Sequence, residues 1–309
     1  TTDHYTDLYY ASQLSLGLSN DETSEPYETK TLTAQTYAID PVLDYGLIPL
    51  EHLTIGYMIY TDFVFRGNAS LAQLNHVFQT LKAANIDEFI LDLRYNQGGY
   101  IFAVKQLCSL LALEEVVENE ELLIHKKWNK AYQERYANDP DRLEEHFDNT
   151  VPLDSRLNLK RLWVITSHVT ASASEMLISA LSPYMKVNVV GDLTMGKNMG
   201  GIIYTPNDKD LQNWNIMLIS TEYSNSREES VKGGIPPMFP ILEQFHHQHQ
   251  LGDQEEPLLA ATLQLITQDT IVTPATNSRS GRNIGTDAPR RIIPEFVQAK
   301  SRLLLGIEN

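Results

Sequence analysis

The chain has 309 residues, of which 42% are hydrophobic and 21% charged, and its net charge is −16. These proportions are typical of a globular protein with one large or two modest domains. The acidic charge, with no basic cluster to offset it, argues against nucleic-acid binding because phosphate backbones would be repelled. No apolar run approaches the roughly 20 residues of a membrane-spanning helix. The first residues also lack a secretory-signal pattern, so we expect a mature or trimmed chain.

The single cysteine, Cys108, excludes an internal disulfide framework and leaves the cellular compartment undecided. Ile101, Val104, Leu107 and Leu111 recur around it at helical spacing. This pattern predicts that Cys108 is a buried packing residue rather than a reactive thiol. A cysteine protease is therefore not favoured.

The residue pattern at the start of the sequence predicts a short helix at residues 5–18, a polar loop at 20–26 and a strand at 29–37. From residue 53 the pattern becomes one of alternating strands and helices, which predicts a parallel α/β fold. The predicted strands and helices of this first half are a strand at 55–60, a helix with Leu71, Leu74, Phe78 and Leu81 on one face and a cap at Asn68 or Ser70, a buried strand at 89–93, and a helix at Ile101–Leu111.

The second half continues the alternation after a charged segment at 129–147, which predicts an exposed helix or lid. Strands are predicted at 162–166, 187–190, 200–204 and 214–223. A break at 233–237 then precedes a helix at 256–263. Residues 278–287 are typical of a flexible connection, and residues 290–306 form a semi-apolar basic tail.

Ser172 lies among small residues, immediately before a segment with helical character. It is therefore predicted at a helix N-terminus, where backbone N–H groups and the helix dipole would stabilise an oxyanion beside the hydroxyl. Lys197 follows the next predicted strand and can fold back toward Ser172. The two residues predict a serine nucleophile with a lysine base.

Three segments carry a resemblance to a known family: DLRYNQGG at 92–99, TASASE at 170–175 and VGDLTMGK at 190–197. They resemble, in the same order, motifs of the C-terminal processing peptidases, or tail-specific proteases, over roughly residues 35 to 270. The resemblance implies a ClpP/crotonase-like α/β catalytic core at 37–270. It also implies a partial PDZ-like segment or extension at 1–36, and residues 271–309 would be a C-terminal extension.

By the same resemblance, Ser172 is the nucleophile and Lys197 the general base of a serine endopeptidase. The backbone N–H of Ala173 and that of Gly98 or Gly99 would form the oxyanion hole. The implied substrates are protein tails or unfolded proteins of a bacterial envelope or periplasm, bound as an added β-strand. The anchoring signal, whether secretory or lipoprotein, would lie outside this sequence. No metal or organic cofactor is implied, and the oligomeric state is left open.

Two features leave alternatives open. A lysine amine acts as a base near neutral pH only when its pKa falls well below the ordinary value of about 10.4, and we expect apolar residues such as Val189 and Met195 to provide the pocket that lowers it. Many relatives carry a glutamine that orients the amine, where this chain has Gly201. A non-catalytic protein of the same fold that holds an apolar ligand or peptide is therefore an alternative, as is a scaffold that captures peptide tails.

Other candidate sites have weaker support. The histidines at 246, 247 and 249 could bind a metal, but no carboxylate or cysteine has persuasive ligand spacing, so a solvated loop is favoured. His168 precedes the serine turn and is predicted to be a surface or subsite residue. Asp92 and Arg94 are predicted to form a structural ion pair.

Overall fold

The computed structural model describes residues 11–19, 25–35, 40–50, 52–64, 68–207, 211, 214–243 and 249–268. The chain divides into two compact units, Thr1–Asp40 and Pro41–Asn309. The predicted connection at 278–287 and the tail at 290–306 lie outside the described residues.

The strands of the described residues are β1 (Gln13–Leu18), β2 (Glu28–Thr33), β3 (Val42–Pro49), β4 (Thr54–Tyr60), β5 (Glu88–Asp92), β6 (Leu122–Trp128), β7 (Glu144–His146), β8 (Arg161–Thr166), β9 (Lys186–Gly191), β10 (Met199–Tyr204), β11 (Ile216–Asn225) and β12 (Phe239–Pro240). The α-helices are α1 (Asn68–Ala83), α2 (Ile101–Leu111), α3 (Glu114–Glu118), α4 (Lys130–Arg135), α5 (Pro140–Leu143), α6 (Ala173–Leu181) and α7 (Pro257–Gln268). A 3₁₀ turn spans Leu153–Ser155.

The first unit contains an antiparallel hairpin in which β1 pairs with β2, from Gln13 opposite Thr33 to Leu18 opposite Glu28. The predicted helix at 5–18 is therefore wrong for residues 13–18, and residues 5–10 lie outside the described residues. Leucine at every second position of β1 matches the period of a strand, and Gly17 disfavours a helix. The predicted strand at 29–37 is confirmed as far as Thr33.

The second unit is built on a six-stranded sheet of order β12-β9-β8-β5-β4-β3. Strands β4, β5, β8, β9 and β12 run parallel to one another. Strand β3, at one edge of the sheet, pairs antiparallel with β4. All five residues of β5 are buried, as expected for a parallel strand covered on both faces. The predicted α/β class is confirmed.

Helices cover both faces of this sheet. On one face Phe78 of α1, Leu107 of α2 and Leu177 of α6 belong to one buried cluster. On the other face Trp163 of β8 and Leu259 of α7 belong to a second cluster. Cys108 is fully buried in the first cluster, and burial raises the pKa of its thiol, so the predicted packing role is confirmed.

A second, antiparallel sheet of order β10-β11-β6-β7 lies within the same unit. The segment at 129–147 beside it forms the two short helices α4 and α5 followed by β7, rather than one long helix. Asn129 caps α4 by accepting a hydrogen bond from Tyr132 N, and Pro140 starts α5. Neither helix has a buried residue, so the predicted exposure is confirmed for α4 and α5, whereas Phe147 at the end of the segment is buried.

A buried guanidinium joins the sheet to α7. Arg94 is 1% exposed and pairs with Asp92 and Glu256, each at 2.9 Å from Nη2. The predicted Asp92–Arg94 ion pair is thereby confirmed. Glu256 also accepts hydrogen bonds from Leu258 N and Leu259 N at the start of α7. One carboxylate therefore caps the helix and fixes it to the strand end that carries Arg94.

Burial alone would raise the pKa of Glu256. The hydrogen bonds and positive charge of Arg94, together with the N–H groups of Leu259 and Leu258, lower it by more, so the net pKa lies below its ordinary value. A carboxylate with a lowered folded-state pKa stabilises the fold above its unfolded pKa of about 4.3, and this contribution is lost as the pH falls through the folded pKa.

We expect Glu256→Gln to lower the free energy of unfolding at pH 7 by about 2–4 kcal/mol, because Arg94 loses a buried charged partner. The difference from the unchanged chain should shrink as the pH falls below about 4. Urea unfolding at several pH values measures both effects. Glu28→Gln, which removes an exposed ion pair with Lys30, should change stability by less than about 1 kcal/mol. Equal effects of the two substitutions at pH 7 would contradict this account.

Candidate active site

Ser172 occupies a strained turn between β8 and α6. Its backbone has φ 56° and ψ −114°, a conformation that non-glycine residues adopt rarely, and it is the N-cap residue of α6. The predicted placement at a helix N-terminus is confirmed. The turn directs a small hydroxyl side chain to the positive end of the helix dipole.

Hydrogen bonds to the segment after β5 hold this turn in place. Ala171 N and Ser174 Oγ both donate to Asn96 O, at 3.1 and 3.0 Å. Thr170 Oγ1 donates to Leu93 O at 2.9 Å and accepts from Ser167 N. The loops that follow two neighbouring parallel strands are thus fastened to each other on both sides of Ser172.

The carboxylate of Glu175 joins the backbone of Ser172 to that of Lys197. Its Oε2 accepts hydrogen bonds from Ser172 N and Lys197 N, both at 2.8 Å. Its Oε1 accepts from Thr194 Oγ1 and Gly196 N, both at 2.5 Å. Glu175 has no exposed surface. The sequence placed Glu175 in the serine motif without revealing this role, although a glutamate three residues after an N-cap serine is the spacing of a capping box.

We expect Glu175→Gln to disrupt this arrangement, because the amide has one acceptor oxygen and its NH₂ group would face backbone donors. The free energy of unfolding should fall by about 2–4 kcal/mol. Thermal and urea unfolding measure the loss. Glu255→Gln is the control, since the Glu255 side chain is 81% exposed and its change should be small. An unaltered stability for Glu175→Gln would contradict the bridging role.

The two glycines of the first motif differ in their surroundings. Gly98 and Gly99 have φ of 102° and 146°, which favours glycine at both positions. A Cβ on Gly98 would lie 2.7 Å from both Ala173 N and Ser172 Cβ, so Gly98 contacts the serine turn directly. Gly98 N donates to Asn96 Oδ1 at 2.8 Å. Within the described residues, neither Gly99 N nor Ala173 N has an acceptor.

Ser172 and Lys197 line the same small pocket, whose volume of about 10 Å³ is roughly the space of one water molecule and which is also lined by Met176 and Tyr223. No hydrogen bond between Ser172 Oγ and Lys197 Nζ occurs in the described part of the chain. The structure therefore brings the two predicted side chains to one cavity without a hydrogen bond between them.

The expectation that apolar residues bury Lys197 is wrong for this structure. The Lys197 side chain is exposed, and Met195 is 50% exposed. Val189 belongs instead to the hydrophobic core beneath the sheet. The reason is that Lys197 lies in a loop, six positions after the last residue of β9, so the apolar residues around the strand do not surround the amine.

Gly201, at the position where the family resemblance leads us to expect a glutamine, lies in an irregular part of the β10–β11 pair. The register shifts between Gly200 and Gly201. A Cβ on Gly201 would lie 2.4 Å from Leu218 O, which is closer than real contacts allow. A glutamine therefore does not fit this strand pairing.

Gly201→Ala is expected to lower the free energy of unfolding by about 1–3 kcal/mol, because the bulge must shift to relieve the contact. Gly46→Ala is a matched control in strand β3, where a Cβ would meet nothing within 4 Å. It should leave stability within about 0.5 kcal/mol. Denaturant unfolding measures the change in the free energy of unfolding for each variant. A similar change for Gly201→Ala and Gly46→Ala would indicate a general effect of alanine in strands and would contradict a steric requirement at Gly201.

The remaining candidates stay apart from this pocket. His168 is partly buried in the loop before Ser172. His249 bonds through Nδ1 to Asp253 at 3.0 Å, while residues 246–248 lie outside the described residues. Across the described ranges, no group of three or more His, Cys, Asp or Glu residues is arranged to hold a metal ion. Among the helices described, none has the length and apolar character to cross a membrane.

Comparisons with known proteins agree with the fold. The model of peptidase family S41 matches residues 54–240. A carboxyl-terminal-processing protease of Picosynechococcus sp. is 24% identical over 259 residues, which cover 84% of this chain and 56% of that protein. The chloroplastic carboxyl-terminal-processing peptidase 2 of Arabidopsis thaliana is 27% identical over 192 residues, 62% of this chain and 32% of that protein.

Among solved structures, a protein from Bacteroides fragilis assigned as an S41 protease superposes with a TM-score of 0.70 and 25% identity. The match covers 84% of this chain and 67% of that one. The chain spans only about half, or less, of the length of the curated relatives it matches. Because the family model covers more than half of the chain, the chain belongs to peptidase family S41.

Proposed function

We propose that the chain carries the catalytic core of a serine endopeptidase, with Ser172 as nucleophile and Lys197 as general base. The observation that carries this proposal is the Glu175 carboxylate, which binds Ser172 N and Lys197 N together. The shared pocket and the strained serine turn add support. A protein that only held an apolar ligand would need neither the hydroxyl nor the amine.

In the proposed reaction, Ser172 Oγ attacks a peptide carbonyl carbon while its proton passes to the neutral amine of Lys197. The oxyanion accepts hydrogen bonds from Ala173 N and from an amide of the diglycine turn. Gly98 N already donates to Asn96, so Gly99 N is the one of the two without an acceptor in the described part of the chain. Lys197 then protonates the leaving amine. Water hydrolyses the acyl-enzyme through the reverse proton transfers, and no step requires a metal or organic cofactor.

In this proposal the substrate also affects the base, because the Lys197 side chain is exposed. Strand β10 starts two residues after Lys197 and, as far as the chain is described, is the last strand on its side of the antiparallel sheet. An extended polypeptide that paired with this edge would lie over the pocket and remove water from the amine. Bound substrate would thus provide the desolvation that the protein alone does not.

The wider setting follows from the family. We propose a ClpP/crotonase-like core over residues 37–270, a partial PDZ-like segment or extension at 1–36, and a C-terminal extension at 271–309. The substrates would be protein tails or unfolded proteins of the bacterial envelope or periplasm.

The test is labelling with a fluorophosphonate, together with cleavage of an intrinsically disordered protein. Ser172→Ala should abolish both signals. Lys197→Met should slow them by at least about 10²-fold, the usual minimum contribution of general base catalysis. Both variants should unfold at the same denaturant concentration as the unchanged chain. Ser182→Ala, at the far end of α6, is the control and should keep full labelling. A folded chain that is not labelled, or labelling that persists in Ser172→Ala, would reject the proposal.

A further inference from the structure

Tyr223 is the aromatic side chain of the pocket that contains Ser172 and Lys197. It lies on β11, directly opposite Lys126 of β6. Thr221 and Asn225, two residues to either side, are buried, whereas the intervening Glu222 is exposed. Since side chains alternate along a strand, Tyr223 is on the face of β11 that turns toward the body of the protein.

The phenol ring of Tyr223 lies across β10. A Cβ on Gly200 would be 2.3 Å from Tyr223 Oη and 2.5 Å from Cε2, so the ring occupies the space that any other residue at position 200 would fill. A backbone hydrogen bond also holds Tyr223 next to the start of β10, because Tyr223 N donates to Asn198 O at 2.9 Å. The hydroxyl is therefore held beside the strand that begins just after Lys197.

The hydroxyl of Tyr223 is available to a ligand within the pocket. In the described part of the chain it has no hydrogen-bond partner, whereas the hydroxyls of Tyr57, Tyr95 and Tyr184 donate to Asp92, Glu243 and Leu122 O respectively. Burial, followed by the negative charge of Glu145, raises the pKa of Tyr223 to about 12. The phenol thus stays protonated near neutral pH and offers lone pairs to a donor.

Several charged and polar neighbours of Tyr223 already have hydrogen-bond partners. Lys126 Nζ donates to Glu145 Oε1 and to Asp141 O, both at 2.7 Å. Asn198 Nδ2 donates to Ser230 Oγ, and Glu229 accepts from Asn225 Nδ2. In the described lining of the pocket, Lys197 Nζ is the amine without a partner.

We propose that Tyr223 is a positioning residue for Lys197, whose Nζ–H donates a hydrogen bond to Tyr223 Oη. A neutral amine has two N–H groups and one lone pair, so one N–H can bind the phenol oxygen while the lone pair faces Ser172 Oγ. This inference rests on the proposed function. It also explains how the chain orients its lysine without a glutamine at position 201: Gly200 admits the phenol ring, and Gly201 admits Leu218 O.

Tyr223→Phe tests this inference because it removes the hydroxyl and keeps the ring over Gly200. We expect fluorophosphonate labelling of Ser172 and kcat for peptide cleavage to fall by about 10- to 100-fold, the order of loss for a misplaced catalytic group, with KM little changed. The ascending limb of the pH–rate profile should move to lower pH, because the charged amine loses an acceptor that stabilised it. Tyr184→Phe removes a partly buried hydroxyl outside the pocket and should keep the original rate and profile.

The outcomes separate the two proposals. If the unchanged chain is not labelled at Ser172, the proposed peptidase function fails. If the unchanged chain and Tyr184→Phe react and Tyr223→Phe reacts equally fast, the positioning role is wrong while the peptidase function stands. A slower Tyr223→Phe with an unmoved pH profile and a lowered unfolding midpoint would show a purely structural tyrosine, which also overturns the inference.

Discussion

The Glu175 carboxylate is the constraint on which the candidate site depends. It has no exposed surface, and its two oxygens accept four hydrogen bonds, from the N–H groups of Ser172, Gly196 and Lys197 and the hydroxyl of Thr194. A buried carboxylate with fewer donors would be unfavourable, so the donors and the acceptor require one another. Glu175 also lies in the first turn of α6, where the helix dipole favours negative charge. The backbones on both sides of the pocket are consequently fixed before any substrate arrives.

The parallel sheet explains why segments far apart in sequence meet at this carboxylate. Strands β5, β8 and β9 are neighbours, and each is followed by one of the three motif loops. Because the carboxyl ends of parallel strands lie at one edge of a sheet, the loops that follow them form a common site there. The Asn96 carbonyl joins the first loop to the second, and Glu175 joins the second to the third. The fold therefore brings the three motif loops together, and hydrogen bonds of a few buried polar groups fix the positions of these loops relative to one another.

Local signals in the sequence were sufficient for much of this architecture. Helix α2 occupies the predicted range because its apolar spacing repeats over three turns, and the Ser172 turn was predicted from small residues preceding a helical segment. Other features depend on contacts that no local pattern encodes. The Arg94–Glu256 pair joins residues 162 positions apart, and the exposure of Lys197 depends on where a loop leaves the sheet. Gly200 and Gly201 are required because residues of β11 lie against them, and the sequence alone does not show how β11 pairs with β10.

The two sides of the proposed dyad are organised to different degrees, and this difference bears on when catalysis could occur. The serine side is complete: its turn is strained, buried and hydrogen-bonded on both flanks. The lysine side is fixed only at its backbone, while its amine remains in water. A peptide that covers the pocket would exclude water from the amine, which favours the uncharged base that the proposed mechanism requires. On this mechanism the site reacts fastest with an extended chain, which would limit attack on folded proteins whose backbones cannot pair with β10.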